Sequence, residues 1–180
     1  QILQAGWHLL KLINEILDLS VVESGKVSLS LEPVSLSDVL SECQTMMEAQ
    51  AQQRGIVMTF PQFEQPSFVW GDQTRLKQIV INLLSNAIKY NKVDGWIQID
   101  LHQTKTNITL KIANSTEVLS EELNAHAFER FYRGNFSHSR QADGQGLGLS
   151  IALEIAKAHK ANLSIQAEHQ RVELILDIAV

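Results

Sequence analysis

Residues 72–90 read Asp72-Gln73-Thr74-Arg75-Leu76-Lys77-Gln78-Ile79-Val80-Ile81-Asn82-Leu83-Leu84-Ser85-Asn86-Ala87-Ile88-Lys89-Tyr90. Asp72 caps a long helix that runs to about Tyr90. Asn82, Asn86 and Lys89 stand at i, i+4 and i+7, which places them on one stripe of it. Asparagine is a weak helix former, up to about 0.7 kcal/mol worse than alanine. Two of them inside an otherwise apolar run therefore call for a reason. Amide oxygens are hard ligands suited to Mg²⁺, and a lysine further along the stripe can reach a phosphate as a point charge. Taken alone, the spacing reads more simply as a solvated face.

Two further segments lie downstream. Gly144-Gln145-Gly146-Leu147-Gly148-Leu149-Ser150 opens a helix. Glycines let a backbone approach phosphate closely, and a helix amino end supplies free N–H groups and a positive dipole. The pattern differs from the dinucleotide fingerprint, since no strand runs directly into it and no acidic residue sits at the ribose spacing. Between the two, Phe128-Glu129-Arg130-Phe131-Tyr132-Arg133-Gly134 packs aromatic and cationic residues just ahead of a polar stretch. That is the makeup of an anchored lid base, or equally of a structural corner.

Working outward, residues 1–22 form an amphipathic helix with a heptad: Ile2, Leu9 and Ile16, with Ala5, Leu12 and Leu19 three residues on. Leu10, Ile13 and Leu17 widen the stripe toward a bundle-packing face, so a partner helix and a second subunit are expected. Gly25 stops it, and Val27, Leu29 and Leu31 alternate as a short strand. Ser35 and Asp38 resemble a capping box for a helix that buries Leu36, Val39, Leu40, Cys43, Met46 and Met47 and ends at Gly55. Strands are predicted at Ile56–Phe60, Phe68–Trp70, Trp96–Gln103 and Ile108–Ala113, the last two a hairpin around Thr104–Asn107. Residues 114–145 are polar and irregular. A helix over about 147–159 and strands near 162–168 and 172–178 complete the chain. The expected fold is an α/β (α+β) two-layer sandwich: a mixed sheet with helices on one face, preceded by one long amphipathic helix.

Hydrophobic residues make up 44% and charged residues 19% of the 180 residues, as in a globular domain with a sizeable core. The net charge of −5, without a basic patch, argues against nucleic acid as a partner. The single cysteine, Cys43, excludes an internal disulfide and fits a reducing cytosolic setting, where it serves as a small core residue. No apolar run approaches a membrane span. The chain opens mid-pattern without an initiator methionine, which reads as a cytoplasmic piece of a longer protein and leaves room for an upstream inner-membrane anchor.

Together and in this order, the three segments resemble the N box, F box and G2 box of the sensor histidine kinase ATP-binding domain, of the gyrase, chaperone and mismatch-repair ATPase superfamily. The likeness covers nearly the whole chain. Residues 1–26 are similar to the second helix of the kinase dimerisation domain, and residues 27–180 to the catalytic domain. Position 82 agrees with a kinase: the ATP-hydrolysing cousins carry a glutamate there to activate water, and an asparagine cannot act as a base. The resemblance implies that Asn86 binds a Mg²⁺ bridging the phosphates of ATP, with Asn82 beside it. It further implies that Lys89 contacts phosphate and Tyr90 stacks near adenine. Gly144, Gly146, Leu147 and Gly148 would shape the phosphate side, and either Arg130 or Arg133 would reach the γ-phosphate. The protein's work would be positioning and charge stabilisation.

The chain also departs from the family pattern. The G1 box, normally Asp-x-Gly-x-Gly, is matched by Asn114-Ser115-Thr116-Glu117-Val118. Asn114 keeps an acceptor for the adenine amino group but loses the charge, and charge-assisted bonds are roughly twice as strong as neutral ones. Lys160-Ala161 replaces a usual Gly-Gly turn, and Glu173 is expected where a threonine often helps to hold adenine. Weakened nucleotide binding is the implied result. None of the six histidines is followed by Asp or Glu, as the phosphoaccepting histidine of the family is, so this sequence should not phosphorylate itself. The resemblance implies as partners ATP or ADP, a phosphoacceptor helix outside this sequence, a second subunit joined through residues 1–22, and a response regulator receiver domain. The alternative is a degenerate regulatory module that acts through protein contacts.

Overall fold

A computed structural model of the chain describes residues 29–63, 65–117, 123–132 and 146–180. The helix expected over residues 1–22 lies outside these. In chain order the described elements are β1 (Glu32–Ser35), α1 (Leu36–Gln52), β2 (Val57–Thr59), β3 (Phe68–Gly71), α2 (Gln73–Lys89), β4 (Trp96–Gln103), β5 (Asn107–Ser115), α3 (Leu123–His126), α4 (Gly148–Ala158), β6 (Asn162–Glu168) and β7 (Arg171–Ala179). Five strands form a mixed sheet in the order β2-β4-β5-β7-β6, with β2 parallel to β4 and every other pair antiparallel.

The period-two pattern decides which face is covered. Ile97 and Ile99 of β4, Ile108, Leu110 and Ile112 of β5, Leu174, Leu176 and Ile178 of β7 and Leu163 of β6 share one face and are buried. They meet Leu76, Ile79, Val80, Leu83, Leu84, Ala87 and Ile88 of α2, the buried stripe of α4 and that of α1 in a single core. Cutting one such leucine or isoleucine back to alanine typically costs about 2–5 kcal/mol. The other face carries Gln98, Asp100, His102 and Lys111, all exposed. This is the expected two-layer sandwich.

Two expectations needed correction. The strand predicted around Leu29 and Leu31 begins instead at Glu32, and Leu31 is exposed. It pairs with β3 in a separate two-stranded ribbon that does not join the main sheet. Val34 pairs with Val69, both buried, and Pro33 is tolerated because β1 needs to donate on one side only. Met46 is also exposed, whereas Met47 and Cys43 are buried; burial pushes the Cys43 thiol up to about 11 despite the nearby Lys77 ammonium. Within the stretch expected to be irregular, Leu123–His126 forms one helical turn. At the replaced Gly-Gly turn, Lys160 itself adopts φ +56°, so the left-handed geometry is retained without glycine.

The local signals for α1 and α2 act as expected. Ser35 Oγ accepts from the Asp38 N–H at 3.3 Å, and Gly55 at φ +67° ends α1 with an Ile56 N–H bond to the Ala51 carbonyl. Asp72 accepts from the Arg75 N–H at 3.1 Å and from the Ser30 N–H at 3.0 Å. Its own N–H donates to His159 Nε2 at 3.0 Å, while His159 Nδ1 bonds the Ile155 carbonyl at 2.9 Å. The neutral Nδ1–H imidazole satisfies both bonds and ties the end of α4 to the start of α2.

Burial alone would raise the Asp72 carboxyl, but the Arg75 and Ser30 amides and the Arg75 guanidinium overcome it and hold it below its ordinary value. A depressed carboxylate contributes stability that is present above its unfolded value and lost as pH falls through the folded one. Asp72→Ala should therefore cost about 1 kcal/mol at neutral pH. The gap from the parent should narrow below about pH 4. Urea melts across that range read both, and a gap independent of pH would show that the charge contributes nothing.

Candidate functional site

The first residue of α4 lies against α2. A Cβ built on Gly148 would lie 3.4 Å from Asn86 Nδ2 and 3.7 Å from Asn82 Oδ1. The asparagine stripe and the glycine turn, separated by some sixty residues in sequence, are thus brought together at the amino end of a helix. Asn86 Nδ2 donates to the Asn82 carbonyl at 2.8 Å, a bond that fixes the amide and turns Oδ1 to its other side. Leu147 precedes α4 without a side-chain cap, so the first-turn N–H groups of α4 are not taken up by a capping side chain. Ser150 Oγ instead donates to the Leu147 carbonyl at 2.8 Å, and Leu147 itself is buried.

The cluster around Phe131 is joined to this turn by its backbone. The Phe131 N–H donates to the Gly146 carbonyl at 3.1 Å. Both residues have positive φ, +62° for Phe131 and +74° for Gly146. A Cβ on Gly146 would lie 2.7 Å from the Tyr132 carbonyl oxygen. Glycine is therefore required at 146, both for its φ and for the close backbone. Phe131, 62% exposed, holds a left-handed conformation that costs about 1–3 kcal/mol for a residue of its kind. Arg130 is exposed, one residue from this tie. Arg133 and Gly144 lie outside the described residues.

At the other end of α2, Lys89 Nζ lies 4.9 Å from the centroid of the Tyr90 ring. Next to Tyr90, Asn91 accepts at Oδ1 from Ser115 Oγ at 2.6 Å and donates from Nδ2 to the Trp96 carbonyl at 3.1 Å; the Trp96 N–H donates to Ser115 Oγ at 3.0 Å. Tyr90 and Asn114 are each one residue from the Asn91–Ser115 bond, which ties the backbone after α2 to the end of β5. Gly95 lies against this bond, and a Cβ there would strike Asn91 Oδ1 and Ser115 Oγ. Asn114 is buried and donates from Nδ2 to the Ser115 carbonyl at 2.8 Å, which turns its acceptor Oδ1 away from that carbonyl.

Glu173 is a correction. It pairs with Ala113 and ion-pairs with Arg171 at 2.5 Å, on the sheet face opposite Asn114. The residue directly across from Asn114 is Val172, half-buried on the core side. Strand parity fixes this, and the register that settles it depends on a turn, Glu168–Arg171, that carries no glycine signal in the sequence.

Among the described residues no cluster of three or more His, Cys, Asp or Glu could hold a metal ion alone. The donor set fits Mg²⁺ in one way only: one amide oxygen, with the remaining ligands from phosphates and water, the usual manner for that ion.

This geometry defines a class: an α/β sandwich in which two helices bring an amide stripe and a helix amino end together above a mixed sheet. Residues 71–179 match the family described as Histidine kinase-, DNA gyrase B-, and HSP90-like ATPase, and the chain belongs to that family. Within it, the chain is a catalytic ATP-binding domain of the sensor histidine kinase type. It is 33% identical over 157 residues to the signal transduction histidine-protein kinase BaeS of Escherichia coli, covering 86% of this chain and 33% of BaeS. The catalytic domain of histidine kinase ThkA superposes with a TM-score of 0.70 at 26% identity, covering 83% of this chain and 97% of that one. Full-length ShkA in complex with AMPPNP superposes with a TM-score of 0.83 at 25% identity, covering 97% of this chain and 36% of that one. The chain spans about a fifth to a third of the length of the curated relatives it matches. No helix among the described residues is long and apolar enough to cross a membrane.

The two glycines should respond differently to alanine. Gly146→Ala meets both a positive φ and a 2.7 Å contact, and should lose about 1–3 kcal/mol of stability. Gly148→Ala meets nothing nearer than 3.4 Å and should melt close to the parent. Thermal melts of the pair check this; equal losses would place the strain elsewhere.

Proposed function

We propose that the site between α2 and α4 binds Mg·ATP and that the γ-phosphate passes to a histidine on a helix outside this sequence. The observation that carries the reading is the convergence of Asn82 and Asn86 on Gly148 at the uncapped start of α4. Asn86 Oδ1 would hold a Mg²⁺ that enters with the phosphates, and the ion would supply neutralisation of their charge. The first-turn amides of α4, with Gly144, Gly146 and Gly148 in the turn, would cradle the phosphates. Lys89 would add a point charge, and Arg130 or Arg133 would approach from the segment tied to Gly146.

Asn82 has no proton-accepting carboxylate with which to activate water, so the bound nucleotide would be held rather than hydrolysed. On the base side, Asn114 Oδ1 would accept from an exocyclic amino group and the Tyr90 ring would stack. A homodimer through residues 1–22 and a response regulator as phosphate acceptor follow from the family resemblance, as does a cytoplasmic position for this portion. The likeness to a histidine kinase crystallised with AMPPNP supports the nucleotide assignment.

Titration calorimetry with ADP and Mg²⁺ should register weak but measurable binding. No heat and no thermal shift at millimolar nucleotide would instead favour a regulatory module acting through protein contacts.

Asn114→Asp exchanges a neutral acceptor for a charged one. The difference between neutral and charge-assisted hydrogen bonds is about 1–1.5 kcal/mol, so nucleotide affinity should rise roughly tenfold. Unchanged affinity in the same titration would remove Asn114 from the base-binding site.

A further inference from the structure

α2 is held at its carboxyl end by a residue that belongs to no motif. Arg54 lies in the turn that ends α1, and its Nη1 donates to the carbonyls of Ile88 at 2.7 Å and Lys89 at 2.9 Å. Both are among the final carbonyls that a helix leaves without an internal partner. The base of the side chain is anchored, because the turn is closed by the Arg54 N–H and Ile56 N–H on the Ala51 carbonyl and by Gly55 at φ +67°.

The electrostatics give this contact a meaning beyond capping. A helix carboxyl end carries roughly half a negative charge. Here it terminates the helix whose Asn82 and Asn86 face the glycine turn, and Lys89, on the same stripe, is its last residue. Polyphosphate drawn to that stripe would meet a negative helix end about one turn away. The guanidinium sits directly on the carbonyls that make it negative, and one of the two belongs to Lys89 itself.

We propose that Arg54 is a positioning residue for the phosphate half of the nucleotide site. It fixes the last turn of α2, from which the Lys89 side chain departs, and offsets the negative helix end against the ligand's charge. The inference rests on the nucleotide reading given above. It predicts an effect graded by ligand charge, which simple stabilisation of the fold does not produce.

The test titrates the full chain and its Arg54→Met and Arg54→Lys variants with adenosine, Mg·ADP and Mg·ATP, with circular dichroism as the check on folding. Arg54→Met should weaken ATP roughly two- to fivefold and ADP less, and leave adenosine unchanged. Because a single nitrogen makes both bonds, the ammonium of Arg54→Lys should restore most of the loss. Equal losses for all three ligands, or no loss for ATP, would overturn the proposal and leave Arg54 as a helix cap. If Arg54→Met does not fold, Arg54→Gln carries the same comparison. A parent chain that binds none of the three overturns the nucleotide site, and this inference with it, whereas a parent that binds and an Arg54→Met that binds identically overturns the inference alone.

Discussion

The close approach of α4 to α2 at Gly148 is the constraint on which the site depends. Two packed helices normally keep their axes 8–10 Å apart, with side chains filling the space between. At Gly148 the nearest atoms of the facing helix are the Asn86 and Asn82 amides, at ordinary contact distance from where a Cβ would stand. The positive amino end of one helix thus sits beside the polar stripe of the other. The same two helices bury their apolar stripes in the core one or two residues away, so the polar contact is held by the hydrophobic one.

Given that contact, α2 has to be rigid, and it is tied along its whole length. Its first turn is capped by Asp72, and His159 bonds the Asp72 amide from the far end of α4. Its last turn is held by Arg54, and the residues that follow it are bonded through Asn91 to Ser115 and Trp96. These ties come from four separate parts of the chain. The turn before α4 is tied differently: Phe131, a non-glycine residue at φ +62°, donates its N–H to the Gly146 carbonyl.

Much of this was legible in the sequence, because the signals were local. The apolar periodicity of residues 72–90, the Ser35 and Asp72 caps, Gly55 as a helix stop and the alternation of β4 and β5 each report on a few neighbouring residues. What escaped depends on register and on long-range pairing. Leu29 and Leu31 alternate like a strand, but the ribbon pairs Val34 with Val69. Glu173 and Val172 differ by one position, and a one-residue step in a strand moves a side chain to the opposite face. The His159, Arg54 and Phe131 contacts join residues from about fifteen to eighty-seven apart, and no spacing rule announces them. His159 had a signal of a kind, a histidine in the last turn of a helix, but it pointed to the helix dipole rather than to a partner on α2.

Three of the side chains assigned to ligand are amides: Asn82, Asn86 and Asn114. An amide cannot take a proton from water, and it attracts a free cation far less than a carboxylate does. A site so composed has little affinity for metal by itself, in keeping with the lack of an acidic cluster among the described residues. Metal would then enter with the phosphates it already binds, and the charge to be balanced at the site would be the net charge of that complex. For such a ligand the helix dipoles would be decisive. The amino end of α4 would attract it and the carboxyl end of α2 would repel it, and the Arg54 guanidinium rests on the carbonyls of that carboxyl end.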